Sequence, residues 1–510
     1  MEKISENRKF ENQLFDDPFE ARLNVGNKVK FVNCTFSENV LIDMSSSSQV
    51  SFTKCSFSNN LTLKGNSSDL KLLSIQNCNF GGSLDFDGYK GDALLEGQFK
   101  IIKLNGGEAK LSFISRKEVL SEVGEIEIGN GIYTLDLGTN NEFKDISTSS
   151  RLHKGSASVS INGNPSKVGN LTLTECAKVE VKFDKTRLET LELMNNAQSH
   201  IAINKKSSIE TISISGESNC LNSFRIVDSI VRDLSIKEGI YQSIYLKDCT
   251  NGTFNLISEP FTSESSLDIT NSSFHIMSVD SSINGNRFKV IKSKVSQEFS
   301  LLNTFLNNTY FSDFDLKNAR LKFYHSHLAE IRYSNIQWPD YDQYFIPEDT
   351  DFSQLREMFR QLKSLSVRNH NFLDAERFHA LELDATLKCI DSGRWYNENW
   401  FLLFTNKLFT NFNRSWILPI GFGLLFHLIL VALIIPFSLT WKYFLFVNNL
   451  GFTDFDILEF LQFYTYTLYP FHRFEYNSVA LPPALDVLTR IVSSYFAYYS
   501  LKAARRFGRI

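Results

Sequence analysis

Apolar positions along most of this chain recur in short alternations with polar ones, and the alternations themselves repeat. Phe31-x-x-Cys34-x-Phe36 returns as Phe52-x-x-Cys55-x-Phe57 and as Ile75-x-x-Cys78-x-Phe80, at intervals of 21 and 23 residues. Further on, leading strands, mostly apolar-polar-apolar triplets such as Leu171-Thr172-Leu173, begin at Leu171, Leu191, Ile212, Leu234, Phe254 and Ile276. A second short strand follows each, through Val181, Ile203, Ile226, Leu246, Ile269 and Val290. Brief period-two strands with polar corners, returning about every 21 residues, predict the coils of a parallel β-solenoid, each stacked about 4.8 Å from the next. Counted from Val29 to about Trp338, they make roughly fourteen coils and a rod on the order of 60 to 70 Å. The register is hard to follow between Tyr89 and Lys167, where Gly138 to His153 reads as a loop or bend. A β-sandwich would also space its turns regularly. The persistence of a 20 to 23 residue period favours the solenoid.

After Trp338-Pro339 the period changes from two to 3.6. Leu355, Phe359 and Leu362 share one face of a helix over Phe352 to Val367, a turn follows at Asn369-His370-Asn371, and a second helix over Leu373 to Ile390 carries Phe378, Leu381, Leu383 and Leu387. The aromatic, sparsely charged segment Trp395 to Phe412 predicts a helix lying along a bilayer interface. Then comes an uncharged run of 27 residues, Ser415 to Trp441. Its apolar core is long enough, at about 1.5 Å per residue, to cross a hydrocarbon layer of roughly 30 Å. A second span is expected over Ala484 to Leu501, after Pro482-Pro483. Asp456 to Tyr469 between them is apolar but too short to cross, and reads as a re-entrant or interfacial helix. The expected organisation is therefore a mainly β chain in three parts. These are a solenoid over 1–338, a helical connector over 339–394 and a membrane domain over 395–510, with spans at about 415–438 and 484–501 and the short helix at about 456–469.

Charge sets the expected orientation. Arg394, Lys407 and Arg414 precede the first span and Lys502, Arg505, Arg506 and Arg509 follow the second, whereas the intervening loop has Lys442 and Arg473 against Asp454, Asp456, Glu459 and Glu475. The positive-inside rule places both chain ends in the cytoplasm, across an inner membrane. The polar, charged start MEKISENRKFENQLFDDPFE has no signal-peptide pattern, which agrees. Net charge is −4, so no global basic field advertises nucleic acid. Six of the seven cysteines fall in the repeats and one, Cys389, in a helical segment; with no Cys-x-x-Cys spacing they read as buried hydrophobes, and no metal or cofactor is expected.

Candidate chemistry is confined to two regions. In the membrane part, Asp486 and Arg490 are four residues apart and would share a helix face and pair; Asp454, Asp456 and Glu459 at the start of the short helix would ring a cation path if several copies assemble, or form a solvated helix start. Ionisable residues at membrane depth face a bundle interior or a water-filled path, or snorkel to the headgroups. Two spans and one short helix cannot enclose a pore in a monomer, so a ring of subunits, a tetramer in the simplest reading, is expected alongside membrane lipid. No Thr-Val-Gly-Tyr-Gly filter is present. In the solenoid, Arg287, Lys289, Lys292 and Lys294, then Arg320, Lys322, Tyr324 and His325, supply cations and aromatics of the kind that hold a single-stranded nucleic acid; the plain alternative is a solvated face. No carboxylate cluster, nucleophile motif or phosphate loop supports an enzyme, and a membrane-anchored binding scaffold without a pore is the second class considered.

From about Phe352 the chain resembles bacterial proteins that place a repeat solenoid ahead of a two-helix, ion-channel-like membrane domain. The resemblance is carried by Phe359-Arg360-Gln361-Leu362-Lys363, Asp374-Ala375-Glu376-Arg377-Phe378 and Ala504-Arg505-Arg506-Phe507-Gly508, and covers about a third of the chain. The solenoid is similar in period to pentapeptide-repeat proteins but departs from their five-residue pattern. The order of parts is also similar to the membrane effectors of the Hailong anti-phage system. That resemblance implies an oligomeric ion channel held shut by a short single-stranded oligodeoxyadenylate, the product of a nucleotidyltransferase encoded nearby, and released when the DNA is destroyed.

Overall fold

The structure is a computed structural model. It describes residues 2–507 except 5, 45–47, 66–70, 116–120, 149–156, 217–219, 258–264, 281–287, 305, 307–308, 325, 327, 329–330, 341–351, 391–397, 413–414, 416, 438–456, 472, 474, 477–478 and 481–482. The chain divides into two compact units, Met1–Phe345 and Ile346–Ile510.

The first unit is a parallel β-solenoid of about 21 residues per coil. Among the described residues the strands of successive coils pair in parallel, with local register shifts such as those at Ile75/Cys78 and Ser199/His200. One ladder runs through Ile126, Ile146, Leu171, Leu191, Ile212 and Leu234, and another through Phe183, Ile203, Ile226, Leu246, Ile269 and Val290. All of these side chains are buried. Parallel pairing throughout excludes the sandwich.

Three features differ from the expectation. The solenoid starts well before Val29, because Glu2 pairs with Ala21, Phe10 with Phe31 and Phe15 with Phe36. Among the described residues the stretch from Tyr89 to Lys167 continues the ladders, and strand Glu142–Thr148 lies within the segment Gly138 to His153 that was expected as a loop or bend, the rest of which, 149–153, lies outside the described residues. Finally, Met277 and not Ile276 takes the inward place above Phe254. Strands on this face bend at two successive outward residues, such as Glu189-Thr190 and Arg232-Asp233, which breaks strict alternation. Where Gly124, Gly169 and Gly252 occupy the bend, a Cβ would lie 2.5, 2.2 and 2.4 Å from a carbonyl oxygen of the preceding coil, so only glycine fits without displacement.

Repetition of residue type follows from repetition of environment. Phe10, Phe31 and Phe52 stack at 4.8 and 4.9 Å, and Phe15, Phe36, Phe57 and Phe80 at 4.7, 4.8 and 4.5 Å, all within 10° of parallel. The coil rise imposes this face-to-face spacing; such pairs contribute roughly 0.5–1.5 kcal/mol each beyond area burial. Corners need a left-handed residue, and Asn12, Asn33, Lys54 and Asn77 supply one series while Asp228, Asp248, Asn271, Lys292, Asp313 and Asn335 supply another. Their side chains ladder too: Asn33 donates to Asn12 at 2.6 Å, and Asn271 to Asp248 at 2.6 Å.

The second unit holds six helices among the described residues: α1 (Phe352–Arg368), α2 (Phe372–Cys389), α3 (Glu398–Thr410), α4 (Ile417–Phe437), α5 (Ile457–Leu468) and α6 (Pro483–Phe507). Asn371 caps α2 by accepting from the Asp374 amide at 3.2 Å. The α1–α2 hairpin buries Leu355, Phe359, Leu362, Phe378 and Leu381. Among the described residues no helix is long and apolar enough to cross a membrane. For α4 the description of side chains ends at Leu433, and α6 carries Asp486, Arg490, Lys502, Arg505 and Arg506.

Candidate functional site

The helical unit contains a buried polar seam. His427 in α4 is fully buried, its Nε2 lies 3.1 Å from Thr467 Oγ1 of α5, and its Nδ1 lies 3.3 Å from Ser493 Oγ of α6. The Thr467 hydroxyl already donates to its own helix, at Phe463 O (3.0 Å) or Tyr464 O (3.1 Å). It therefore accepts from His427 Nε2–H. The imidazole thus ties three helices together. The Tyr464 ring packs edge-on to His427 at 5.1 Å, and its hydroxyl donates to Leu424 O at 2.9 Å.

On α6 the polar residues follow helical spacing. Asp486, Thr489, Arg490 and Ser493 fall at i, i+3, i+4 and i+7, and so share a face. Asp486 is fully buried, and its Oδ2 accepts from Arg490 Nε at 2.8 Å, while Thr489 donates to Asp486 O at 2.7 Å. The pair expected from sequence is formed. Val431 and Phe463 are buried next to the seam, with Phe460, Tyr464 and Leu485 packed on them. The outward positions of α4 are apolar: Ile417, Leu424, Leu425, Leu428, Ile429 and Leu433 are exposed. Polar groups inside and apolar groups outside reverse the arrangement of a water-soluble bundle.

His427 was missed in the sequence because an uncharged run of 27 residues was read for length and charge alone. A histidine amid that many aliphatic residues is itself the signal, since a polar ring there needs partners. Asp454 and Asp456 lie outside the described residues, as does the side chain of Glu459.

Among the described residues the solenoid cations are spread over different elements. Lys289 sits on the strand Phe288–Ile291, Lys292 at a left-handed corner, and Lys294, Arg320 and Lys322 on the next face. Lys294 Nζ is 3.5 Å from Asp315 and Lys322 Nζ is 2.7 Å from Glu298, which is also in register with Arg320. Carboxylates therefore accompany the cations and weaken their pull on a polyanion. Arg287 and His325 lie outside the described residues, as does the side chain of Tyr324. Elsewhere on the solenoid a cleft of about 650 Å³ is lined by Lys100, Lys144 and Lys167 and by Glu122, Glu142 and Glu189, over a floor that includes Phe99 and Phe143. Its charges balance, and Lys167 is paired with Glu189 at 2.7 Å.

The fold and the seam define a class: a β-solenoid joined in one chain to a helical unit in which α4, α5 and α6 enclose a polar seam and α4 exposes apolar residues. Beyond that class, no family model, curated protein or solved structure matches the chain.

Proposed function

We propose that this protein is a homo-oligomeric ion channel of a bacterial inner membrane, with the solenoid as its sensory domain. The observation that supports this reading is the His427–Thr467–Ser493 seam with the adjoining Asp486–Arg490 pair, inside helices whose outer faces are apolar. A plain anchor has no use for buried ionisable groups, whereas a conducting assembly does. The uncharged run Ser415 to Trp441 is the sequence basis for placing α4 in the bilayer. One such helix, the charged α6 and the short α5 enclose no path alone, so conduction requires a ring of copies, with four as the working number. Both termini face the cytoplasm in this arrangement. The gating ligand in this proposal comes from the resemblance in order of parts to Hailong membrane effectors: a short single-stranded oligodeoxyadenylate, made by a neighbouring nucleotidyltransferase, holds the channel closed, and its loss depolarises the cell in anti-phage defence. The protein is not an enzyme in this reading.

The test is ionic current across a planar bilayer containing the purified full chain, before nuclease, after it, and after oligodeoxyadenylate is added back. Current that appears with nuclease and vanishes with the oligomer supports both channel and ligand. Current indifferent to DNA keeps the channel and removes the ligand, an outcome consistent with the carboxylates beside Lys294 and Lys322. Silence in all three states, from folded oligomeric protein, favours a membrane-anchored scaffold.

A further inference from the structure

Helix α3 makes two kinds of contact on opposite faces. Lys407 reaches α2, where its Nζ lies 2.5 Å from Asp384 Oδ1. Asp384 is only 7 % exposed, and its other oxygen lies 3.3 Å from Lys388. Two residues on, and so about 200° around the helix, Phe409 wedges edge-on between α4 and α6. Its ring centroid is 5.3 Å from that of Phe422 and 5.2 Å from that of Phe496. Phe496 lies close against α4, since a Cβ at Gly423 would fall 2.8 Å from its own Cβ. It also stands one turn from Ser493, which bonds His427.

The two contacts resist displacement for different reasons. Withdrawing Lys407 removes a direct partner of a buried carboxylate, which is costly to leave short of charge. Withdrawing Phe409 opens a void among close-packed rings. A helix held on both faces in this way transmits displacement instead of absorbing it. We propose that α3 is the strut through which a change in the α1–α2 hairpin reaches the buried polar seam, with Asp384–Lys407 as its coupling bond. What the seam then does rests on the channel reading; the mechanical coupling does not.

The experiment is hydrogen exchange on the full chain in lipid nanodiscs, comparing wild type with Lys407→Gln, Asp384→Asn, Phe409→Ala and, as a control, Arg360→Gln, which cuts only an exposed pair within α1. Exchange at amides around His427 and Ser493 is expected to rise about tenfold in Lys407→Gln and Asp384→Asn, along with that of α3, and to stay unchanged in Arg360→Gln. Phe409→Ala should loosen the same seam amides while α2 keeps its protection, a pattern that general unfolding would not produce. Acceleration confined to α2 and α3 in the charge variants would overturn the proposal. Bilayer recordings separate it from the function: a silent wild type refutes the channel and leaves exchange to decide the strut. In a conducting wild type, Lys407→Gln should shift the oligodeoxyadenylate concentration for closure about tenfold.

Discussion

At the scale of single residues, the solenoid cysteines do more than fill space. Thr186, Ser207, Ser229, Cys249, Ser272 and Ser293 each follow a left-handed corner and lie buried. Ser229, Cys249, Ser272 and Ser293 donate to the carbonyl two residues back, at 2.9, 3.2, 2.9 and 2.9 Å, and the amides of Cys249 and Ser272 each point at the hydroxyl of the following coil at 3.2 Å. Cys249 is therefore buried as the sequence led one to expect, and also serves as a weakly polar rung in a column of serines. Cys249→Ser should change unfolding free energy by less than about 1 kcal/mol, while Cys249→Ala, which leaves buried backbone groups short of a partner, should cost about 1–3 kcal/mol in chemical denaturation. Burial also pushes the Cys249 thiol up to about 11 and that of Cys176 up to about 12. In the unfolded chain a thiol ionises near 8.5. The unfolded state thus loses protons first as pH rises, and the contribution present below that value is lost between about pH 8.5 and 12. Thermal unfolding of the β-structure should move down across that window, and less steeply in a Cys176→Ser/Cys249→Ser double variant.

At the scale of elements, two glycines of α4 separate packing from propensity. A Cβ at Gly421 meets nothing within 4 Å, whereas one at Gly423 meets Phe496 at 2.8 Å. Gly421→Ala should stabilise α4 by about 0.5–1 kcal/mol, and Gly423→Ala should cost about 1–3 kcal/mol by forcing α4 and α6 apart. Denaturation in detergent checks both, and equal effects would show that the two helices do not pack as described. The glycine contrast has no counterpart in the sequence, where Gly421-Phe422-Gly423 reads as one unit. By comparison, helix limits and strand ladders were largely legible: the turn at 369–371 and most inward solenoid positions follow from periodicity, because burial on one side enforces it. Bends that put two outward residues in a row were not legible, so Ile276 was taken for Met277. The seam was half legible. Asp486 and Arg490 declare themselves by charge and spacing, but His427, Thr467 and Ser493 come from three helices and meet only through tertiary packing.

At the scale of the whole molecule, the two units present different surfaces to solvent. The large apolar residues exposed on the solenoid, such as Leu14, Ile132 and Ile230, come from separated coils, and each pairs across the ladder with a polar residue such as Thr35, Ser158 or Thr250. Isolated apolar side chains of this kind are ordinary on soluble proteins. In the helical unit, Phe401, Leu402, Phe404 and Leu408 are exposed on α3 and Ile417, Leu424, Leu425, Leu428, Ile429 and Leu433 on α4, a concentration of the kind that marks an interaction surface. Residues 1–345, expressed alone, should therefore stay monodisperse in plain buffer and melt within a few degrees of the β-transition of the full chain. Residues 346–510 should aggregate unless detergent or lipid is supplied, and should then recover helical circular dichroism. Each half of the prediction bears on a different conclusion. A solenoid fragment that fails to fold would mean that the unit depends on the helices for its last coils, and sensing could not be assigned to a separate domain. A helical fragment that remained dispersed and monomeric in plain buffer would remove the membrane from the proposed function, because its apolar exterior would then have no lipid to account for it.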